Sequence, residues 1–242
     1  PHVVRGNVIY AGVDYEAILR EAEKEADVVI WDGGNNDFSF YVPDLMITVV
    51  DPHRPGNELS YYPGEVTLRV ADVVVINKMD SASPENIQIV RENIEKVNPT
   101  AVVIDAASPL TVHHPELIKG KRVLVVEDGP TLTHGEMKLG AGTVAARKYG
   151  AKELVDPRPF VVGKLAETFK TYPNIGLLLP AMGYGDQQIA DLEKTINNTD
   201  CDTVVIATPI DLQRIVKINK PATKVDYDLE EIGRPKLSDV LG

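Results

Sequence analysis

The 242-residue sequence contains a single cysteine, Cys201, which cannot form an internal disulfide or contribute to a cysteine-cluster metal site. It also lacks a signal peptide and any apolar run long enough to span a bilayer, so we expect a cytoplasmic protein that does not contact membranes. The formal net charge of −11 argues against binding to nucleic acid, because both molecules would be negatively charged.

A phosphate-binding loop of the form G-x-x-x-x-G-K-[ST] is also absent, although proteins with the base-reading motif described below normally carry one upstream. The sequence begins at Pro1, without an initiator methionine. We therefore expect a fragment, for which the missing N-terminal half of the same protein would be a partner. A domain that has lost its phosphate anchor is the alternative.

Short apolar runs alternate with segments of helical spacing along the sequence. Residues 28–32, 71–76 and 101–105 are predicted strands, and Ser83 followed by Pro84 predicts the start of a helix. Continuous Val/Ile runs between helices are typical of a parallel sheet with helices on both faces. The predicted fold class is therefore α/β, with a mostly parallel sheet followed by a second α/β domain.

The composition changes near residue 120, which predicts two domains. Residues 1–120 would form the nucleotide-binding part, and residues 121–242 a substrate-binding or accessory domain. No linker is obvious between them, so a single sheet shared by the two halves is the alternative.

The tetrapeptide Asn77-Lys78-Met79-Asp80 follows the apolar run 71–76. N-K-x-D after a strand is how GTP-binding proteins read guanine: the aspartate accepts from the base N1–H and 2-amino group, and the other two side chains hold the base plane. Ala107 and Ser108 follow the next predicted strand and would offer backbone N–H groups to the base. The alternative is a polar turn whose charges are only solvated.

Asp32 ends the run 28–32 and is followed by two glycines. Mg²⁺ prefers few carboxylates together with phosphate and water oxygens, so Asp32 is a candidate magnesium ligand, with a glycine-rich turn as the alternative. Asp51 and Arg54 follow the apolar run 45–50 and lie in a loop that two prolines stiffen. The arginine side chain is suited to binding phosphate. We take Asp32, Asp51 and Arg54 as candidate catalytic residues, although a rigid surface turn would also explain the loop.

Residues 127–142 combine acidic, hydroxyl and glycine residues, and Gly140-Ala141-Gly142 opens a predicted helix. Glycines at a helix N-terminus favour an anion. We expect this passage to bind an anionic substrate, with packing as the alternative. The candidate substrate-binding residues are Asp128, Thr131, Thr133, His134, Arg147 and Arg158.

Five long motifs are spread along the sequence: Trp31-Asp32-Gly33-Gly34-Asn35-Asn36-Asp37, Asp51-Pro52-His53-Arg54-Pro55-Gly56, Asn77-Lys78-Met79-Asp80, Val126-Glu127-Asp128-Gly129-Pro130-Thr131-Leu132-Thr133-His134-Gly135 and Leu179-Pro180-Ala181-Met182-Gly183-Tyr184-Gly185. Through these motifs the sequence resembles, along essentially its whole length, the archaeal cyclic 2,3-diphosphoglycerate synthetase family and related P-loop GTPases.

The resemblance implies a ligase that uses ATP to close 2,3-diphosphoglycerate, an anionic small molecule, into its cyclic phosphoanhydride, with Mg²⁺ as cofactor. It also implies that residues 1–120 are the C-terminal part of a P-loop NTPase-like domain, that Asp32 serves Mg²⁺ and that residues 77–80 serve the base. N-K-x-D predicts guanine whereas the family's named activity uses ATP, so the choice between ATP and GTP is open.

A regulatory or chaperone-like GTPase of the same class is the alternative function. A third interpretation is that this chain alone binds no nucleotide tightly and is inactive. Dimerisation is common in the P-loop class, which leaves a homodimer open.

Overall fold

The structure is a computed structural model that describes residues 5–34, 37–128, 140–182 and 185–242. The helices are α1 (Tyr15–Ala22), α2 (Asn57–Ser60), α3 (Gly64–Val70), α4 (Pro84–Val97), α5 (Ala141–Lys148), α6 (Lys164–Thr171), α7 (Asp186–Asn198), α8 (Leu212–Ile215) and α9 (Leu237–Val240). The strands are β1 (Ile47–Val50), β2 (Val73–Ile76), β3 (Val102–Ala107), β4 (Leu110–Val112), β5 (Arg122–Asp128), β6 (Glu153–Leu154), β7 (Leu179–Ala181), β8 (Thr203–Ala207), β9 (Ala222–Tyr227) and β10 (Glu230–Ile232).

The chain divides into two compact units. The first contains Pro1–Pro109 and Asp228–Gly242, and the second contains Leu110–Tyr227. The composition places the division near residue 120 and assigns everything after it to the second domain, whereas the structure divides the chain at residue 109. The end of the chain returns to the first unit, because β10 pairs antiparallel with β3. Such pairing between distant segments leaves no trace in local composition.

The first unit is built on a sheet with the strand order β1-β2-β3-β10, in which β1, β2 and β3 are parallel. Alternate residues of the central strand β2 face two different cores. Val74 and Ile76 belong to the core that includes residues of α3 and α4, and Val73 and Val75 pack in a core that includes residues of α9. Helices therefore cover both faces of this sheet, as the continuous apolar runs predict.

The predicted start of α4 is confirmed in detail. Pro84 is the first helical residue, and the Ser83 hydroxyl accepts from the Asn86 N–H at 3.3 Å. A hydroxyl at this position satisfies one of the N–H groups that the first turn leaves without an intrahelical partner. The helix therefore begins immediately beyond the loop that carries residues 77–80.

The apolar run 28–32 predicts a strand, and this prediction is wrong, because these residues form neither helix nor strand. Val28 and Ile30 are 75% and 82% exposed. A strand needs a neighbour to bond its backbone, and within the described residues β1, at the end of the sheet, pairs only with β2. The segment is held instead by ring contacts of Trp31 with Tyr15, Phe40 and Tyr41.

The second unit is built on a sheet with the strand order β4-β9-β8-β5-β6, and β7 also pairs with β5. All of these pairings are parallel except that of β4 with β9. The central strand β5 is buried from Val123 to Glu127. Its core is completed by Ala145 and Ala146 of α5, Leu165 and Phe169 of α6, and Leu192 and Ile196 of α7.

The predicted α/β class with mostly parallel sheets is confirmed in both units. Within the residues that the structure describes, every helix is too short or too polar to cross a membrane. In each unit the parallel strands bring their carboxyl ends to one edge of the sheet, which is where ligands of such folds bind.

Candidate functional site

The carboxyl edge of the first unit brings together most of the predicted nucleotide-site residues. Val50 of β1 is in register with Ile76 of β2, which is in register with Asp105 of β3. The residues that follow these strands are therefore neighbours. They include Asp51 and Arg54 after β1, residues 77–80 after β2, and Ser108 after β3.

Asp51 anchors two cations at this edge. Its Oδ2 atom accepts from Lys78 Nζ at 2.8 Å and from Arg54 Nη2 at 3.3 Å, and its Oδ1 atom accepts from the His53 N–H at 3.0 Å. Burial by itself would raise the pKa of Asp51, but the hydrogen bond and charge of Lys78, with the His53 N–H and Arg54, bring that pKa below its ordinary value. Asp51 is therefore an ionised group that positions Lys78 and Arg54.

The loop of residues 77–80, which is predicted to read the base, contains a strained residue. Lys78 has a φ of 57°, in the left-handed region that residues other than glycine rarely adopt. The turn is held by the Lys78 N–H, which donates to Asn77 Oδ1 at 2.8 Å, and by the Met79 N–H, which donates to the Ala106 carbonyl at 3.0 Å. Strain of this kind is concentrated at binding sites, where the surroundings hold it in place.

Asp80 lies at the exposed end of the same loop. Its Oδ1 atom accepts from the Ser108 N–H at 3.0 Å, so the two predicted base-contacting positions touch each other. Ala107 is the last residue of β3 and is 8% exposed. The edge therefore presents a carboxylate held by the backbone of the neighbouring loop, an arrangement that can accept hydrogen bonds from a base.

One contact at this edge joins residues that were not among the predicted site residues. His53 Nε2 lies 2.9 Å from Ser81 Oγ, and Ser81 Oγ also donates to the Lys78 carbonyl at 3.3 Å. This contact links the loop after β1 to the loop after β2. A serine that directly follows N-K-x-D carries no signal of this role in the sequence.

Asp32, the predicted magnesium ligand, is exposed and lies in the irregular segment that includes residues 28–32, not at the end of a strand. In the described parts of the chain, no group of three or more His, Cys, Asp or Glu residues is arranged to hold a metal ion. A magnesium ion that binds with a nucleotide uses few protein ligands, because phosphate and water oxygens supply the rest. A single exposed aspartate beside glycines fits that requirement.

The carboxyl edge of the second unit contains the buried Glu127, which is 3% exposed. Its Oε1 atom accepts from the Thr143 N–H at 2.9 Å, at the N-terminus of α5. Burial raises the pKa of Glu127 above its ordinary value, although the N–H groups of Thr143 and Gly142 oppose the change. The helix N-terminus that was predicted to bind a substrate anion is thus occupied by a carboxylate of the chain itself.

Two glycines make this contact sterically feasible. An ideal Cβ atom on Gly140 would lie 2.2 Å from Glu127 Oε2, and one on Gly142 would lie 2.8 Å from both Val125 Cγ1 and Ala207 Cβ. Any side chain at these positions would displace the carboxylate or the two strands behind it. The glycines therefore serve the packing of α5 on β5 and β8.

The remaining predicted substrate-binding residues are dispersed. Asp128 ends β5, opposite Ala181 of β7, and Arg147 lies in the last turn of α5, at the end away from Gly140. Arg158 bonds Asp156 Oδ2 at 3.0 Å and the Ile175 carbonyl, and its guanidinium lies 5.3 Å from the centre of the Phe169 ring. Thr131, Thr133 and His134 lie outside the described residues.

Residues 3–107 match a family described as "Cyclic 2,3-diphosphoglycerate synthetase, P-loop domain". Over 241 residues the chain is 66% identical to a Thermococcus kodakarensis protein named "Arginine synthetase ArcE", an alignment that covers 100% of this chain and 54% of that relative. The chain therefore spans about half the length of that relative.

Two relatives are named "Cyclic 2,3-diphosphoglycerate synthetase". The Thermococcus sibiricus protein is 34% identical over 114 residues, which cover 46% of this chain and 26% of the relative. The Pyrococcus furiosus protein is 27% identical over 75 residues, which cover 31% of this chain and 17% of the relative. All three relatives are named synthetases, which supports an enzymatic function.

Proposed function

We propose that this chain is part of a nucleotide-dependent synthetase that forms arginine. Residues 3–107 match the P-loop domain of the cyclic 2,3-diphosphoglycerate synthetases, which supports the nucleotide dependence. We choose arginine as the product because of how much of the chain each match covers. Identity to the relative named an arginine synthetase runs along the whole chain, including the second unit. The match to the family domain ends before that unit begins.

Both named products can arise from the same two steps. The terminal phosphoryl group of a nucleotide passes to an acceptor oxygen and releases the nucleoside diphosphate, and a nucleophile then displaces the phosphate. In our proposal for arginine, the acceptor is the ureido oxygen of citrulline and the nucleophile is ammonia, a pair that balances these two steps. For the cyclic compound, the acceptor is one phosphate of 2,3-diphosphoglycerate and the nucleophile is its neighbouring phosphate. Catalysis of phosphoryl transfer consists mainly of positioning and charge stabilisation.

The first unit would supply the nucleotide site. Asp80, held by the Ser108 N–H, would accept from the purine base, and Lys78, held by Asp51, would lie along it. Guanine offers two adjacent donors to a carboxylate and adenine offers one, so GTP is favoured by the motif alone. Arg54 and Mg²⁺ at Asp32 would neutralise phosphate charge, and a loop outside these 242 residues would hold the phosphates.

Formation of cyclic 2,3-diphosphoglycerate is the second candidate, since it is the activity named in the matched family and in two relatives. The second unit offers it limited support. The N-terminus of α5, where a phosphate would bind, already holds Glu127, and Arg158 is engaged by Asp156. A molecule with several negative charges would have to displace these contacts.

The proposal can be tested by identifying the reaction products of a polypeptide that contains this chain and is as long as the arginine synthetase relative. One reaction contains citrulline, ammonium, Mg²⁺ and either ATP or GTP, and a parallel reaction contains 2,3-diphosphoglycerate. Arginine formed in proportion to nucleoside diphosphate and phosphate supports the first candidate, and cyclic product supports the second. Nucleotide hydrolysis without either product contradicts both and favours the regulatory GTPase.

A further inference from the structure

A cleft of about 250 Å³ lies in the second unit, between α6 and α7. Its charged lining residues are Lys164 and Glu167 of α6 and Asp191 of α7. Thr168 also lines it, and the spacing of the three α6 residues places them on one face of that helix. Met182, which directly follows β7, also lines the cleft, so the cleft adjoins the carboxyl edge of the sheet. Drug-sized ligands occupy about 300 Å³ or more, so this cleft suits a smaller metabolite.

Asp191 is the buried acid of this cleft, with 8% of its surface exposed. Its Oδ1 atom accepts from Gln187 Nε2 at 2.9 Å, and its Oδ2 atom accepts from the Lys164 N–H at 3.4 Å. Both donors are neutral, and the second contact is longer than an ordinary N–H···O bond. No cationic side chain among residues 5–34, 37–128, 140–182 and 185–242 forms an ion pair with Asp191.

The carboxylate is confined to this position by the backbone before α6. Gly163 has a φ of 58°, and an ideal Cβ atom there would lie 1.9 Å from Asp191 Oδ2. Only glycine permits this approach. Asp191 forms no ion pair within the described residues, so a cationic group that entered the cleft would pair with it more favourably than the two neutral donors do.

The charges of the cleft are complementary to a basic amino acid. The cleft offers two carboxylates, from Asp191 and Glu167, and one ammonium, from Lys164. Arginine offers two cationic groups and one carboxylate. We propose that this cleft binds arginine, with the guanidinium at Asp191, the α-amino group at Glu167 and the α-carboxylate at Lys164. The identity of the amino acid rests on the proposed function, whereas the preference for a cationic group rests on Asp191.

If Asp191 has only a structural role, replacing it should have a different effect. Its carboxylate lies at the N-terminus of α6 and would stabilise that helix as a cap. Asparagine keeps an oxygen acceptor for the Lys164 N–H but has no charge. Asp191→Asn therefore preserves most of a capping role and removes the charge that would bind a guanidinium.

Calorimetric titration of the 242-residue chain with L-arginine, citrulline and inorganic phosphate tests the proposal. Citrulline has the length of arginine but a neutral ureido group. We expect arginine to bind at least about tenfold more tightly than citrulline, because removing one partner of a buried charge pair typically costs that much or more. In Asp191→Asn we expect this preference to be lost while the affinity for citrulline is unchanged.

Asp186→Asn is the matched control, because Asp186 lies on the same helix, is exposed and does not line the cleft. Thermal unfolding verifies that both variants are folded. The proposal is overturned if wild-type protein binds arginine and citrulline equally, if it binds no arginine, or if Asp191→Asn keeps the preference. Phosphate binding that excludes arginine would also overturn the proposal and would favour the anionic substrate that the sequence predicts.

The outcomes separate this proposal from the proposed function. If the cleft selects arginine but the full-length polypeptide makes none, the proposed function fails and the cleft assignment stands. If arginine is made and Asp191→Asn leaves the inhibition by arginine unchanged, the cleft assignment fails and the proposed function stands.

Discussion

At the carboxyl edge of the first unit, Asp51 is held by the side chains of Lys78 and Arg54, whereas at the corresponding edge of the second unit Glu127 is held by the backbone of α5. The two acids accordingly depart in opposite directions from their ordinary pKa values. A carboxylate paired with cations remains ionised and orients them. A carboxylate buried among neutral donors is costly to ionise. The same position in a parallel sheet thus yields two chemically different sites.

The largest expected effect concerns the first edge. In a polypeptide that binds nucleotide, Asp80→Asn should lower the affinity for GTP by roughly 10²–10⁴-fold, because two hydrogen bonds from guanine to a charged group contribute about 1.5–3 kcal/mol each. The affinity for ATP should fall by less, because adenine offers only one donor. Titration with fluorescent ATP and GTP analogues in the presence of Mg²⁺ measures the loss. A greater loss for GTP would identify guanine as the base.

Glu85→Gln is the control for this variant, because Glu85 is an exposed acid in the first turn of α4. Its nucleotide affinity should equal that of the wild type. An unchanged affinity in Asp80→Asn would show that the carboxylate held by Ser108 does not contact the base.

The second effect tests how tightly the other edge is packed. Gly142→Ala should lower the free energy of unfolding by about 1–3 kcal/mol, the usual cost of overpacking. The added methyl group would meet Val125 and Ala207 at 2.8 Å. Urea unfolding measures the change. Val144→Ala alters the same helix at a residue that is 42% exposed and should change stability by less than about 0.5 kcal/mol. Equal stabilities of the two variants would refute the close contact.

A third effect concerns the pH dependence of Glu127. Because its pKa is raised in the folded chain, its contribution to stability is complete below its ordinary value of 4.5 and is lost as the pH rises through the folded value. Glu127→Gln keeps an acceptor for Thr143 without the charge. Its stability relative to the wild type should therefore grow with rising pH, as followed by amide hydrogen exchange in β5. A difference that is independent of pH would contradict the burial argument.

The smallest effect concerns Asp51, whose contribution to stability should change with pH in the opposite direction to that of Glu127. Its lowered pKa means that its contribution is present above its ordinary value of 3.8 and is lost as the pH falls through the folded value. Asp51→Asn should be less stable than the wild type near neutral pH and should approach it in acid, as followed by amide exchange in β2. Lys78 and Arg54 are 34% and 44% exposed, so solvent and salt weaken the pairing. A deficit that persists in acid would contradict the ion-pair argument.

Much of the first edge could be predicted because its signals are local. Asn77-Lys78-Met79-Asp80 is contiguous, follows a buried strand and precedes a helix whose start is marked by Ser83 and Pro84. Parallel strands then bring Asp51 and Ser108 to the same place without any further information. The fold class follows from the same alternation of apolar runs and helices.

The second edge could not be predicted, because its contacts join distant residues. Glu127 contacts Thr143, which lies 16 residues later in the chain, and Asp191 contacts Lys164 of a different helix. The local sequence of an amphipathic helix such as α7 does not show which of its acidic residues is buried and which are solvated. The strand prediction for residues 28–32 was wrong for the converse reason. Their strand propensity is high, but a strand forms only beside a partner.

Several aliphatic side chains of the first unit are largely exposed, and this affects the solubility of the chain. Val28, Ile30 and Val42 are 75%, 82% and 98% exposed on a molecule with a net charge of −11. At low ionic strength, mutual repulsion keeps such molecules apart. Added salt shortens the range of that repulsion and leaves the attraction between apolar surfaces intact. The solubility of the chain should therefore decline as salt is added.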